Sequence, residues 1–300
     1  MNDHQELKSD EIDLTALIQE LIDKRLKIAI VTSIFAFISV AYSLFLPNNF
    51  SSFAVIKGAS QVSDQMASSV SGLARIAGLP LSMQSDDTIY LIEVLKSFDL
   101  FKENLDRNSS YKKKLAAVDY YDDSSEKIVY KNEIYDSKQN TWVKVEPSFQ
   151  EIYRSVIVPS LEVKQKLRNA NLIEIKFTHQ SPFFAKEYVT SLIETLNESS
   201  KKKDLEETEK SIMYLQETFK DTSQSQVRNS ISDLLTNQLK KRMYANSRTD
   251  YLVEIVEYPF VPELKSSPRR SIIVLNSTLV GFLLSLLYFL TKFFRNTYFK

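Results

Sequence analysis

The chain has 300 residues, 43% hydrophobic and 25% charged, which is long enough to bury a core of ordinary size. Its 38 basic and 38 acidic residues cancel, which argues against a duplex nucleic-acid partner, since that partner requires a basic face. The absence of cysteine excludes disulfides and thiol chemistry, and four glycines in all exclude Gly-rich nucleotide cradles.

Residues 1–27 form a polar N-terminal segment. Ser9-Asp10-Glu11-Ile12-Asp13 is followed by Leu14, Leu17, Ile18, Leu21 and Ile22, at the i, i+3, i+4 and i+7 spacing of a short amphipathic helix at a membrane surface. Residues 28–46 (IAIVTSIFAFISVAYSLFL) carry no charge. At ~1.5 Å per residue they nearly span a hydrocarbon core of ~30 Å. The run begins well inside the chain, behind an acidic amphipathic stretch, and is longer than a signal-peptide core. It is therefore read as an uncleaved transmembrane helix.

Residues 47–270 are read as a water-soluble α/β domain. FSSFAVI, 50–56, is a β candidate. The Ser-, Ala- and Gly-rich stretch 61–80 reads as a loop or short helix. Ile89, Ile92, Leu95, Phe98 and Phe101 predict one helix over 86–104, capped by Ser85 or Asp86. Residues 128–130 and 141–145 flank a turn-like Asp136-Ser137-Lys138-Gln139-Asn140 and predict a hairpin that contains Trp142. LIEIKFT, 172–178, alternates strictly and predicts a half-buried strand. Ser181-Pro182 then starts a helix. No Gly or Pro interrupts 183–258, and the apolar spacing predicts two long amphipathic helices over 183–246, bent or paired around 221–226. The run Lys201-Lys202-Lys203 reads as solvated helix surface. YLVEIVEY, 251–258, is a closing strand, and Pro259, Pro262 and Pro268 lead an extended segment onward.

Residues 271–291 (SIIVLNSTLVGFLLSLLYFLT) are a second charge-free run, between Arg269-Arg270 and Lys292. Lys24, Arg25 and Lys27 precede the first span, and the next basic residue is Lys57, so the positive-inside rule places both termini in the cytoplasm and 47–270 on the far side. Lys265, Arg269 and Arg270 lie on the outer side in this topology, against the rule. Ser39-x3-Ser43 and Ser277-x3-Gly281-x3-Ser285 have the spacing of helix packing in lipid. The tail 292–300 is too short for an output or kinase domain.

Catalytic chemistry has little to draw on. His4 and His179 are the only histidines, one cytoplasmic and one at a strand end, which leaves no His pair for catalysis or metal. Asp86-Asp87 and Asp122-Asp123 suit helix starts and turns better than acid/base work. The expectation is a non-enzyme without cofactor or metal.

Four features, taken in order, carry a family resemblance. They are Glu11-Ile12-Asp13-Leu14 with Leu17, Leu21 and Lys24; YLIEVLKSFDL at 90–100; LIEIKFTHQSPFFAKEYVTSLIETL at 172–196; and Pro259, Pro262, Pro268, Arg269 and Arg270 followed by Gly281. Together they resemble the polysaccharide co-polymerases of the Wzz chain-length-determinant type. The resemblance implies an α+β protein of the bacterial inner membrane, with two terminal transmembrane helices flanking a periplasmic α/β base domain and long extended helices. It implies a homo-oligomeric ring that works with an inner-membrane polysaccharide polymerase, and it leaves contact with the lipid-linked glycan open. The function implied is control of the length of a lipid-linked, O-antigen-like surface polysaccharide. The alternative is a capsule or exopolysaccharide export co-polymerase working with a separate tyrosine kinase, for which Tyr298 is the residue to watch.

Overall fold

A computed structural model describes residues 19, 21–59, 84–166 and 169–298. The N-terminal amphipathic stretch up to Ile18 and the predicted loop at 61–80 lie outside these residues. The chain divides into two compact units, Met1–Asn48 with Ser266–Lys300, and Asn49–Lys265.

The first unit is a pair of apolar helices, α1 (Arg25–Phe45) and α9 (Arg270–Tyr298). Both are long and apolar enough to cross a membrane, and only 17% of each apolar stretch is buried, unlike the core helix of a soluble protein. Phe37 and Phe45 stand 78% and 88% exposed. Helix α9 runs past the predicted end of the apolar run, to Tyr298.

The second unit is built on a four-stranded antiparallel sheet, β1 (Phe50–Gly58), β6 (Leu161–Lys166), β7 (Asn169–His179) and β8 (Val253–Glu257), in the order β6-β7-β1-β8. Strand β7 follows its alternation. Ile173, Ile175 and Phe177 are buried, and they sit opposite Ile56, Ala54 and Ser52 of β1. The other face is a lattice of cross-strand charge. Lys164 reaches Glu174 at 3.3 Å and Lys176 reaches Glu162 at 3.6 Å. Closing strand β8 is shorter than the predicted 251–258.

Helix α7 (Pro182–Asp221) covers the apolar face. The Ser181 side chain accepts from the Phe184 N–H at 3.3 Å, and Pro182 occupies the first turn, where a missing donor costs nothing. Phe184, Tyr188, Leu192 and Leu196, four apart, are buried on the sheet. Helix α8 (Ser225–Ser247) folds back antiparallel along α7. Asp204 of α7 holds Lys241 at 3.0 Å and the Tyr251 hydroxyl at 2.6 Å, and Lys201 donates to the Arg248 carbonyl at 3.0 Å. The two long helices are therefore paired, not one bent rod.

Two sequence expectations need correction. The helix expected over 86–104 is two, α2 (Gln84–Lys96) and α3 (Phe98–Arg107). Ser97 breaks the run because its extended backbone frees its side chain to accept from the Leu100 N–H at 3.2 Å, a new N-cap. Ser85 and Asp86 fall inside the first turn of α2, not ahead of it. The hairpin expected from 128–130 with 141–145 does not form. After α4 (Tyr111–Ala116), β2 (Val118–Asp122) pairs with β3 (Lys127–Tyr130), and β4 (Tyr135–Asp136) pairs with β5 (Thr141–Trp142). Asn140 takes φ 54°, a left-handed conformation that Asn tolerates, and closes the second turn. Before β6 come α5 (Phe149–Ile152), a π-wound turn (Tyr153–Ile157) and α6 (Val158–Ser160). Ser148 caps α5 through the Glu151 N–H at 3.1 Å.

Candidate functional site

The residues singled out from sequence fall in two places. Ser277, Gly281 and Ser285 lie along α9. Gly281 and Ser285 are buried, Ser277 half-buried, and on α1 Ser39 and Ser43 are buried. A Cβ built on Gly281 would stand 2.6 Å from Phe35 Cβ, so glycine is what lets this stretch of α9 approach α1. The serine hydroxyls do not bridge the helices. Ser39, Ser43 and Ser285 each donate to a carbonyl three residues back, which leaves a small, nearly apolar surface. At the other end, Arg270 Nη2 reaches Asn48 Oδ1 at 3.1 Å and the Leu46 carbonyl at 3.4 Å, the last acceptor of α1. Contacts 281 with 35 and 270 with 46 make the pair antiparallel and in register.

In the second unit, Pro259 and Pro262 are buried. Between them the Phe260 carbonyl accepts from the buried Ser52 hydroxyl at 2.8 Å, and its ring meets Phe53 edge-on at 4.9 Å. The prolines hold the chain extended beside β1 after β8 has ended. Pro268 and Arg269 lie just ahead of α9, where the Arg269 carbonyl accepts the N–H groups of Ile272 and Ile273.

The residues weighed for chemistry take structural places. Asp122 closes the β2–β3 turn, accepting from the Ser124 N–H at 3.0 Å and the Ser125 hydroxyl at 2.7 Å, and these bonds hold its carboxyl below the usual range. Trp142 packs edge-on against Tyr135 at 5.2 Å. Lys201 is half-buried and Lys202 and Lys203 are exposed. His179 is buried, and burial pushes its pKa down to about 4. Among the described residues no group of three or more His, Asp or Glu is placed to hold a metal. His4 and the side chains of Asp86, Asp87 and Tyr298 lie outside them.

One feature escaped the sequence reading. Where α3 and α4 meet α7, a polar patch sits beside the apolar contact. Asn104 Oδ1 accepts from Ser191 at 2.5 Å and from Thr195 at 3.3 Å, and Asn108 donates to Ser191 at 3.0 Å. Tyr111 and Tyr188 flank the cluster, their hydroxyl pKa values raised by burial, that of Tyr111 to about 12. Asn104 and Asn108, the residue that caps the end of α3, are four apart, and so are Ser191 and Thr195 on α7. That spacing was the available signal.

A family model described as "Wzz: Chain length determinant protein" matches residues 10–107. No curated protein matches the chain. A solved full-length bacterial polysaccharide co-polymerase is 15% identical, over 97% of this chain and all of the other, with a TM-score of 0.40. A fragment of WzzB, the polysaccharide co-polymerase of Salmonella Typhimurium, is 13% identical over 73% of this chain and all of its own, with a TM-score of 0.28. The mixed helix-and-sheet fold with apolar helices near both ends is the fold class expected from the sequence. The family match over residues 10–107, about a third of the chain, takes in the first two of the four features that carried the resemblance to the Wzz-type co-polymerases.

Proposed function

We propose that this chain sets the length of a lipid-linked, O-antigen-like surface polysaccharide, as a non-catalytic scaffold of the bacterial inner membrane. The observation that carries the reading is the chain-length-determinant match over 10–107, which takes in α1 and the start of the soluble unit. In this reading both termini are cytoplasmic and the unit 49–265 is periplasmic. Copies assemble into a ring with α7 and α8 in its wall, and the paired helices α1 and α9, seated on Gly281, meet the partner polymerase. Exposed Met213 and Tyr214 on α7 and Leu234 and Met243 on α8 are the apolar surface available to neighbouring copies. The segment from Pro259 to Arg270 carries the chain from β8 to α9.

The test is deletion of the gene in its host, with the surface polysaccharide separated by size on a gel, with and without the gene restored. Collapse of a modal length to a broad, short-biased ladder, reversed on complementation, is expected. Complete loss of polymer would favour an export co-polymerase with a separate tyrosine kinase. An unchanged ladder would refute chain-length control.

A further inference from the structure

An open groove of about 600 Å³ runs along α7 where α3 gives way to α4. That is within the range of small-molecule sites, roughly 300–1,000 Å³. Its floor is the polar contact described above, with Asn108, Ser191 and Thr195 at the surface of the groove and Asn104 beneath them. Junctions between packed helices are ordinarily apolar, because each buried polar atom must find a partner or lose its hydration uncompensated. Here the Asn104 side-chain nitrogen and the Tyr188 hydroxyl, in fully buried residues, have no partner of ordinary geometry beyond each other.

The walls define the ligand by charge. Arg107 pairs with Glu198 and Glu103 toward one end, and Lys114 pairs with Glu187 at 2.7 Å toward the other. Glu187 and Glu198 are eleven residues apart on α7, which at ~1.5 Å per residue separates them by ~16 Å, longer than a single sugar ring. Glu194 stands between them and Lys186 just ahead of Glu187, both exposed, with no side-chain hydrogen bond or ion pair among the described residues. Arg107, Lys114 and Lys186 face Glu103, Glu187, Glu194 and Glu198, so the groove carries one net negative charge, which disfavours an anion and is too little to hold a multivalent cation. Hydroxyls and amides that both donate and accept, with a carboxylate that accepts, complement a neutral chain rich in hydroxyl groups. Phe183, 45% exposed at one end, offers an apolar ring to the C–H face of a sugar.

We propose that this groove binds a short stretch of neutral glycan directly. The proposal rests on the chain-length reading only for the source of the glycan, the polysaccharide whose length is set. The test uses the full-length protein in nanodiscs and oligosaccharides released by mild acid from the host's surface polysaccharide, followed by saturation-transfer NMR. Wild-type protein is expected to transfer saturation to the glycan. Thr190→Trp, which fills the groove from a half-exposed helix position, should abolish transfer. Glu194→Gln should weaken binding about tenfold, the effect of one lost charged hydrogen bond. Both variants should keep the wild-type melting profile; if Thr190→Trp does not fold, Glu194→Gln decides alone. No transfer from wild-type protein at millimolar glycan, or wild-type affinity in folded variants, overturns the proposal. Protein that restores the modal length yet transfers nothing removes the groove and leaves the chain-length reading standing. Transfer by a protein that never alters the ladder does the reverse.

Discussion

Lowering the pH should destabilise the unit Asn49–Lys265 through His179. It sits at the end of β7 between the rings of Phe177 and Phe184. The Ser181 N–H donates to Nδ1 at 3.0 Å, so that nitrogen is bare, and Nε2 donates to the Lys114 carbonyl at 3.0 Å. A second proton would have to sit on Nδ1, facing an N–H, in a site almost without water. Burial therefore holds the pKa down, from the ordinary 6.5 to about 4. The sign follows. Between those two values the unfolded chain binds a proton that the folded chain does not, so stability falls as pH falls. The contribution is intact above about 6.5 and lost below about 4. A separation of about 2.5 pH units, at ~1.4 kcal/mol each, comes to about 3 kcal/mol. For a unit of this size that is roughly 6–12 °C in Tm. Full-length protein in nanodiscs would be melted by near-UV circular dichroism from pH 7.5 to 4, beside His179→Gln. Carboxylates such as Asp122 and Glu162, held below their usual range, also lose stabilising contacts in acid, so the readout is the difference between the two proteins. Wild type should fall by that additional amount. Parallel curves would refute the reasoning.

Three further changes test the packing. Asn197→Ala should cost roughly 3 kcal/mol in denaturant unfolding, because the side chain accepts from the Leu252 and Val253 N–H groups at 2.9 Å and donates to the Val253 carbonyl at 3.0 Å, and its loss orphans buried backbone; a cost under ~1 kcal/mol would refute this. Gly281→Leu should destabilise the helix pair by about 1–3 kcal/mol through overpacking against Phe35, read as a lowered thermal midpoint, with partial recovery when Phe35→Ala is added; no recovery would refute the contact. Lys164→Ala, in the exposed charge lattice of the sheet, should leave the unfolding midpoint unchanged, and a clear drop would show that the lattice stabilises the sheet.

The elements legible in the sequence were those whose burial follows a simple period along one stretch of chain. Strand β7 declared itself because Ile173, Ile175 and Phe177 alternate with Glu174, Lys176 and Thr178, and the sheet buries the first set. The start of α7 was marked by Ser181-Pro182, whose capping chemistry is local. The membrane-length helices followed from apolar run length alone. Strand β6 was missed because only Val163 in LEVKQK is buried; an edge strand with one face in water carries little apolar signal. The break at Ser97 was missed because the apolar spacing continues from α2 into α3, while the break depends on a side-chain hydrogen bond.

The sequence by itself determined the fold class, two membrane-length helices around a mixed α/β unit, and the order of motifs that resembles the Wzz-type co-polymerases. Both depend on neighbours in the chain. Tertiary structure alone decided which strands pair, which glycine meets Phe35, and that Asn104 and Asn108 share a junction with Ser191 and Thr195. Those four residues lie more than eighty positions apart in two groups. On either helix they read as an ordinary polar surface, and they become the floor of a groove only because the buried apolar faces of α3 and α7 bring the two helices together.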